Sequence, residues 1–298
     1  MKILAFDIGG TLIKSAIIDE ENSLLELKEH TCPVQGGEGI ISLLESQIDY
    51  YNSSIDGIGI STAGLVDEEN GIIKLSGGGI SNYTGTKLKE LLEKKYNKPV
   101  WVLNDVNAAA LGEAHFGAGK DYKDFICLTY GTGVGGAIVI NKQVYKGKNG
   151  FAGEIGHTAT HLNGKKCSCG LNGCYNDYAS TKALVENCKQ VDPNIKDGRD
   201  VFNAFSQGDL RIKEQIDMWI EEVIYGLVTV IHIFDPPVVI LGGGIMQQKY
   251  IIDEINLRLK DYILSSYRDV VVLRATLGNT AGLMGASYNT LWRMKNDN

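Results

Sequence analysis

The sequence lacks the features that mark membrane-embedded, secreted and nucleic-acid-binding proteins. No segment approaches the run of about 20 apolar residues that a membrane-spanning helix needs, and no small-residue cleavage site follows the short apolar stretch at the start. Basic residues number 29 against 36 acidic ones, which gives a net charge of −7 without a cluster of five or more like charges. This balance argues against nucleic acid or an anionic membrane as a partner. We therefore expect a cytoplasmic protein with a small, soluble ligand.

Cysteine is scarce outside one short segment. The six cysteines stand at positions 32, 127, 167, 169, 174 and 188, so that three of them lie within eight residues. This grouping does not suit a spread-out disulfide framework. In a reducing cytoplasm, clustered thiols are more often metal ligands than bridges.

Proline is also scarce, with 5 residues, whereas the 36 glycines concentrate in turns between apolar segments. The apolar run Lys2 to Ile8 leads through a glycine turn into a second apolar stretch, and the run Phe125 to Tyr130 repeats this design. Because strand and helix patterns alternate, we predict a duplicated α/β fold with two lobes around a cleft. We predict a small lobe over residues 1–108 and a large lobe over 109–298, whose last helix is able to pack back on the small lobe. Further strands are predicted at 57–61, 100–103, 237–241 and 269–273, and helices at 39–51, 86–96, 106–116 and 280–295.

Glycine-rich turns are candidate phosphate cradles, because backbone N–H groups without a neighbouring Cβ atom can approach an anion closely. The turn at 131–136 leads into an apolar strand and not into a helix, which excludes a dinucleotide-binding fingerprint. None of the Gly-Lys pairs is followed by Ser or Thr, which excludes a P-loop. Two candidate phosphate hairpins remain, at 7–14 and 131–136, with a third glycine turn at 242–244. Each by itself is equally compatible with a tight hairpin that binds nothing.

Asp105 is the candidate catalytic base. It follows Asn104 and the predicted strand at 100–103, and ligand crevices in α/β folds open at the carboxyl ends of strands. Phosphoryl transfer to a neutral hydroxyl requires the alcohol to lose its proton, which a single carboxylate within hydrogen-bond distance can accept. The alternative is that Asn104 and Asp105 cap the following helix, and the two roles are compatible.

A candidate metal centre lies between residues 157 and 174. Three thiolates, from Cys167, Cys169 and Cys174, with one imidazole, from His157 or His161, form the ligand set of a closed tetrahedral zinc site. The interleaved glycines permit the tight turn that brings the sulfur atoms together. The alternatives are three buried small apolar side chains or a redox pair in the C-x-C element.

The glycine-rich elements together resemble those of the actin-like ATPase superfamily of sugar kinases, whose duplicated fold is ribonuclease H-like. The matching elements are D-x-G-G-T-x-x-K at 7–14, N-D at 104–105 and G-T-G-V-G-G at 131–136. The resemblance implies that one aspartate holds Mg²⁺, that the two hairpins bind the phosphates of ATP, and that the third glycine turn passes near the adenosine. The implied cofactor-binding residues are Asp7, Gly9, Gly10, Thr11, Lys14, Gly131, Thr132, Gly133, Gly243 and Gly244.

Two further elements narrow the resemblance to the ROK family of repressors, open reading frames and sugar kinases. They are G-E-I-G-H at 153–157 and C-x-C-G-x-x-G-C at 167–174, and the resemblance extends from Asp7 to Gly285. It implies that His157 completes a structural zinc site, with its second ring nitrogen facing the sugar. The implied substrate-binding residues are Gly64, Asn104, Asp105, Glu154, His157 and Asn176.

Position 176 departs from the family pattern. Members that phosphorylate free glucose usually have Leu-Glu after the last cysteine, where this chain has Tyr175 and Asn176. An amide can donate a hydrogen bond to a substituted anomeric oxygen, which a carboxylate cannot. Our hypothesis is that Asn176 suits a β-glucoside such as cellobiose. The alternatives are that Asp177 supplies the carboxylate or that Asn176 tolerates free sugar.

The resemblance implies an ATP-dependent kinase that phosphorylates the 6-hydroxyl of a hexose or hexose derivative, with closure of the lobes excluding water. The substrate stays open among glucose, N-acetylmannosamine, N-acetylglucosamine, fructose and a β-glucoside, because it depends on loops such as 77–85. One alternative is a sugar-sensing family member without catalysis, and another is a different actin-like ATPase. We do not expect a DNA-binding repressor, because the first strand starts at Lys2 and the charge is acidic. The family also suggests a homodimer.

Overall fold

The structure is a computed structural model that describes residues 1–76 and 80–296. Its contacts divide the chain into two compact units, which we call the first unit and the second unit. The first unit consists of Met1–Asp121, Lys142–Ala152 and the described part of Asn279–Asn298, and the second of Tyr122–Asn141 and Gly153–Gly278. The lobe boundary after residue 108 is a different division and stays a prediction.

The first unit contains a five-stranded mixed sheet. The elements up to residue 121 are β1 (Lys2–Ile8), β2 (Leu12–Asp19), β3 (Leu24–Thr31), α1 (Gly37–Tyr51), β4 (Gly57–Thr62), β5 (Leu65–Asp67), β6 (Ile72–Leu75), α2 (Leu88–Tyr96), β7 (Val100–Asn104) and α3 (Asp105–Phe116). The strand order is β3-β2-β1-β4-β7, with β1 antiparallel to β2 and β4 parallel to both β1 and β7. Every residue of β4 is buried, as expected of a central strand that is covered on both faces.

The second unit repeats this design. The elements from residue 122 are β8 (Phe125–Tyr130), β9 (Val134–Ile140), β10 (Gln143–Val144), α4 (Asn176–Ala179), α5 (Thr181–Val191), α6 (Gly198–Ser206), α7 (Leu210–Phe234), β11 (Val238–Gly242), α8 (Lys249–Arg258), β12 (Val271–Arg274) and α9 (Ala281–Asn296). Of these, β10 and α9 belong to the first unit. The sheet of the second unit runs β9-β8-β11-β12, with β8 antiparallel to β9 and β11 parallel to both β8 and β12. This order matches β2-β1-β4-β7, so the predicted duplication is confirmed.

The parallel strands of the first unit end at one edge of their sheet. The register pairs Asp7 of β1 with Ser61 of β4, and Thr62 of β4 with Asn104 of β7. The helix α3 begins directly after β7, at Asp105. Polar side chains that are far apart in sequence therefore meet at the carboxyl edge, where α/β folds bind ligands.

The last helix, α9, packs against α3, β1 and β4 of the first unit. This close approach depends on glycine, because a Cβ atom at Gly285 would overlap the carbonyl oxygen of Ala108. At the start of α9, a Cβ atom at Gly282 would lie 2.6 Å from Asp7 Oδ1. The packing of α9 therefore also determines the space beside Asp7.

Most of the predicted elements are present, with shifts of a few residues at their ends. The last helix, predicted from Thr280, begins at Ala281. The sequence pattern does not predict β3, whose side chains are mostly exposed, or the small β5-β6 hairpin. Of the loop 77–85, residues 77–79 lie outside the described residues. Within the described ranges, none of the helices combines the length and the apolar character that crossing a bilayer would require.

Candidate active site and metal centre

Asp7 lies at the end of β1, where two neighbours hold its carboxylate. Its Oδ1 accepts a hydrogen bond from Ser61 Oγ at 2.7 Å, and its Oδ2 lies 3.6 Å from Lys14 Nζ. Lys14 Nζ also donates to the carbonyl oxygen of Asn279 at 3.0 Å. The Asp7 side chain is 23% exposed, so it combines a fixed position with the access that a divalent cation needs.

The first predicted phosphate hairpin follows Asp7. The N–H of Gly9 donates to the carbonyl oxygen of Leu12 at 3.0 Å, which closes the turn. Gly10 and Thr11, at its tip, are exposed. The turn therefore presents its backbone to solvent, as a phosphate-binding loop must.

Asp105 is the first residue of α3 and is partly buried. Its Oδ1 accepts hydrogen bonds from the N–H of Val106 and from Asn104 Nδ2, both at 3.0 Å. Burial and the negative charge of Asp7 raise the pKa of Asp105 from 3.8 to about 7, although the hydrogen bonds act in the opposite direction. A carboxylate with a pKa close to the working pH is well suited to accept a proton.

Asn104, the residue before Asp105, caps α3. Its Oδ1 accepts from the N–H groups of Val106 and Asn107 at 3.0 and 3.2 Å. Its Nδ2 donates to the carbonyl oxygen of Gly64 and to Asp105 Oδ1, both at 3.0 Å. These four bonds use the whole hydrogen-bonding capacity of the amide. Asn104 and Gly64 thus support Asp105, and direct contact of either residue with a substrate stays a prediction.

Glu68 is part of the same network, although sequence reasoning missed it. Its side chain is buried, and its Oε1 accepts from the N–H of Asn104 at 3.2 Å and from Asn107 Nδ2 at 2.9 Å. Its Oε2 lies 3.0 Å from Lys146 Nζ. No local pattern signals these contacts, because Asn104 and Asn107 are 36 and 39 residues away. Glu68 thereby fixes the backbone next to Asp105.

The second unit brings two glycine turns together. After β8, the N–H of Gly131 donates to the carbonyl oxygen of Gly133 at 2.8 Å, and Gly131 and Thr132 are exposed. Gly243 has a φ of +101°, and a Cβ atom there would overlap the carbonyl oxygen of Tyr130. The third glycine turn therefore lies against the end of β8, beside the second hairpin. The two turns together present exposed backbone at one edge of this sheet.

His157 and three cysteines form a cluster in the second unit. Their ligand atoms all lie within 4.8 Å of one another. The Sγ atoms of Cys169 and Cys174 are 3.7 Å apart, and Cys167 Sγ is 3.7 Å from His157 Nδ1. Ligands about 2.3 Å from a tetrahedral zinc ion lie about 3.8 Å from one another. The four residues therefore fit a structural zinc ion.

His161, the other candidate ligand, takes part in different contacts. Its Nε2 lies 3.6 Å from Glu222 Oε1, its Nδ1 lies 3.1 Å from Thr160 Oγ1, and its ring stacks on that of Tyr178 with centroids 3.9 Å apart. The fold brings His157, and not His161, to the cysteine cluster. This is the arrangement that the family resemblance implies.

The two sides of the His157 ring face different groups. With Nδ1 next to Cys167, Nε2 lies 4.0 Å from Glu154 Oε2. The side chains of His157 and Glu154 are 39% and 49% exposed, so both are accessible to a ligand. Their contact with sugar hydroxyl groups stays a prediction.

Asn176 has a contact that the sequence does not predict. Its Oδ1 accepts a hydrogen bond from the N–H of Val134 at 2.7 Å, across 42 residues of sequence. Val134 is the first residue of β9 and lies within the second hairpin, directly after Gly133. Contact of Asn176 with a substrate stays a prediction.

A model of the ROK family matches residues 3–293 of the chain. The chain belongs to the ROK family. Similar members include a glucokinase of Thermotoga maritima, 31% identical over 309 residues with 96% of each chain covered, and a beta-glucoside kinase of Listeria monocytogenes, 32% identical over 297 residues with 98% of each covered. A xylose repressor of Bacillus subtilis is 33% identical over 296 residues, which cover 95% of this chain and 75% of the repressor. The similarity therefore extends to both kinases and a regulator.

A solved structure gives the corresponding result for the fold. A ROK family glucokinase from Streptomyces griseus, in complex with glucose and AMPPNP, has a TM-score of 0.87 and 31% identity to this chain. The likeness covers 98% of this chain and 100% of the glucokinase. The predicted α/β fold of the actin-like ATPase type is confirmed.

Proposed function

We propose that this ROK protein is an ATP-dependent sugar kinase that transfers the terminal phosphoryl group of ATP to the 6-hydroxyl of a hexose or hexose derivative. The observation that carries the proposal is Asp105, a fixed carboxylate at the carboxyl edge of the first sheet with a pKa raised to about 7. The glucokinase and beta-glucoside kinase relatives, matched over nearly their whole length, support it.

In the proposed reaction, Asp105 accepts the proton of the sugar hydroxyl. The hydroxyl oxygen forms a bond to the γ-phosphorus of ATP as the bond between that phosphorus and the ADP oxygen breaks. Backbone N–H groups of the second hairpin are the proposed donors to the phosphate oxygens. Asn104 and Glu68 hold Asp105 in place, so that little reorganisation is needed when the proton moves.

Two metal ions belong to this proposal. Asp7 is suited to hold Mg²⁺, since carboxylate oxygens are preferred Mg²⁺ ligands, and the bound ion supplies positive charge for the phosphate oxygens. His157 and the cysteine cluster would hold Zn²⁺ as a structural ion. Held in this way, His157 keeps a fixed orientation beside Glu154.

We further propose a substrate with a substituted anomeric oxygen, such as a β-glucoside. Asn176 Oδ1 already accepts one hydrogen bond from the N–H of Val134, and its Nδ2 group supplies N–H donors for a ligand. A glycosidic oxygen can accept such a bond. A coupled ATP assay across about ten sugars, including glucose, N-acetylmannosamine, fructose and cellobiose, tests this. A strong preference for glucose over cellobiose contradicts the β-glucoside proposal and leaves the kinase proposal standing.

The second candidate function is sugar sensing without catalysis, which the similarity to a xylose repressor over 95% of this chain favours. The same coupled assay separates the two functions. A kinase consumes ATP only when its sugar is present, whereas a sensor binds sugar without consuming ATP. Sugar binding detected by calorimetry without any ATP turnover would support the sensor.

We also propose that the protein is a cytoplasmic homodimer. The second unit exposes apolar side chains at the end of α7 and in the loop before β12, including Ile233 at 67% and Leu264 at 64% exposure. A second copy of the chain is one partner able to cover such a surface. Sedimentation equilibrium at micromolar concentrations tests this, and a monomer throughout would contradict it.

A further inference from the structure

The segment 175–182, which follows the last cysteine of the metal cluster, lies against the second hairpin. Tyr130, the last residue of β8, is bound twice by this segment. Its hydroxyl is 2.7 Å from the hydroxyl of Tyr175, and its carbonyl oxygen accepts from Thr181 Oγ1 at 3.1 Å. The N–H of Lys182 donates to the carbonyl oxygen of Gly131 at 3.4 Å. The segment therefore contacts the last residue of β8 and the first residue of the hairpin.

The helix α7 packs against the segment 175–182 and holds it in position. Tyr175 is fully buried, and its hydroxyl donates to the carbonyl oxygen of Val223 at 2.9 Å. Its ring lies over Gly226, where a Cβ atom would overlap it. Trp219 Nε1 donates to the carbonyl oxygens of Ala179 and Ser180 at 3.0 and 3.1 Å. Side chains on this segment are therefore held in defined positions within the second unit.

Asn176 extends this contact to Gly133 and Val134 of the hairpin. Its Oδ1 accepts from the N–H of Val134 at 2.7 Å and lies 2.7 Å from the place of a Cβ atom on Gly133. Val134 directly follows Gly133, so the hydrogen bond determines how the chain leaves the turn. An amide provides this acceptor without a formal charge, whereas a carboxylate would put negative charge beside the phosphates that the hairpin is proposed to bind.

We infer that Asn176 is a positioning residue for the phosphate-binding hairpin, and that its side-chain oxygen acts through Val134 and Gly133 on the nucleotide. This inference rests on the proposed function, because it takes the hairpin to bind ATP. It gives the carbonyl oxygen of Asn176 a role in ATP binding and leaves the N–H donors to the sugar. Loss of the oxygen should therefore weaken nucleotide binding, and not only sugar binding.

The test compares Asn176→Ala, which removes the acceptor, with Asn176→Asp, which keeps it. An exposed asparagine of α6 supplies the control variant Asn203→Ala. In Asn176→Ala we expect MgATP to bind about tenfold more weakly, as expected for one lost hydrogen bond, with the affinity for adenosine unchanged. Amide hydrogen exchange at Val134 should be faster in Asn176→Ala, and should keep its wild-type rate in Asn176→Asp and in the control.

The outcomes distinguish failure of this inference from failure of the proposed function. If the wild-type protein binds MgATP and Asn176→Ala binds it equally well, the positioning role is wrong and the kinase proposal stands. If the wild-type protein binds no MgATP, both are wrong. Should Asn176→Ala fail to fold, Asn176→Asp still tests the acceptor role. Faster amide hydrogen exchange at Val134 in Asn176→Asp than in the wild-type protein would contradict that role.

Discussion

Replacing Asp105 by Asn should make the protein more stable while it removes the proposed base. In the folded protein, burial and the charge of Asp7 oppose the ionisation of Asp105, whose pKa rises from 3.8 to about 7. The folded state therefore binds a proton that the unfolded chain releases as the pH rises above about 4. The free energy of unfolding should therefore fall between about pH 4 and pH 7. Above pH 7 the charge of Asp105 destabilises the folded state by its full amount.

The size of the effect follows from the same two pKa values. The interval from 3.8 to about 7, at about 1.36 kcal/mol per pH unit, corresponds to about 4 kcal/mol. Because Asp105 is only partly buried, we expect about half of this, or about 2 kcal/mol. Asparagine keeps an acceptor for the N–H of Val106 and carries no charge. Asp105→Asn should therefore raise the free energy of unfolding by about 2 kcal/mol at pH 8 and by less at pH 5.

Urea unfolding of the wild-type protein and of Asp105→Asn, at pH 5 and pH 8 and without nucleotide or added metal, measures this difference. The exposed Asp269 provides the control variant Asp269→Asn, which should change stability little at either pH. A stability gain that is the same at pH 5 and pH 8, or a loss at pH 8, would refute the reasoning. It would mean that the surroundings of Asp105 do not oppose its charge.

Three further predictions follow from the same contacts. Asp7→Asn should lower the pKa of Asp105, since it removes the neighbouring negative charge, and a carboxyl NMR titration that finds the pKa unchanged contradicts this. Glu68→Ala should destabilise the protein by about 2–4 kcal/mol in urea unfolding, because Asn107 and Lys146 lose a buried partner, whereas Glu68→Gln, which keeps an acceptor, should cost less. Zinc removal by a chelator should lower Tm and sugar affinity together, and no change in either would make the metal incidental.

Local sequence patterns predict much of the fold. The glycine turn after Asp7 recurs after Tyr130 between apolar runs, and both form hairpins, because short-range periodicity and turn residues determine such units. The start of α3 is also predicted, since Asn104 is a good cap residue. The strand β3 is not predicted, because its exposed side chains show no apolar alternation and its pairing with β2 is what stabilises it.

The candidate site is harder to predict from sequence, because its contacts span long distances along the chain. Spacing alone leaves His157 and His161 equal as ligands, and only the folded loop brings one of them to the cysteines. The hydrogen bond from Val134 to Asn176 spans 42 residues, and that from Asn104 to Glu68 spans 36. Neither has a local signature. Such contacts depend on how the sheets are assembled and not on the pattern of any single segment.

The most direct test of the kinase proposal is ³¹P NMR of the protein with ATP, Mg²⁺ and each candidate sugar. We predict that a sugar 6-phosphate appears as ATP is consumed, that almost no ATP is consumed without sugar, and that Asp105→Asn forms no product although it still binds sugar. Release of inorganic phosphate at the same rate with and without sugar, or an Asp105→Asn variant that keeps most of its turnover, would contradict the central claim that Asp105 accepts the proton of a sugar hydroxyl.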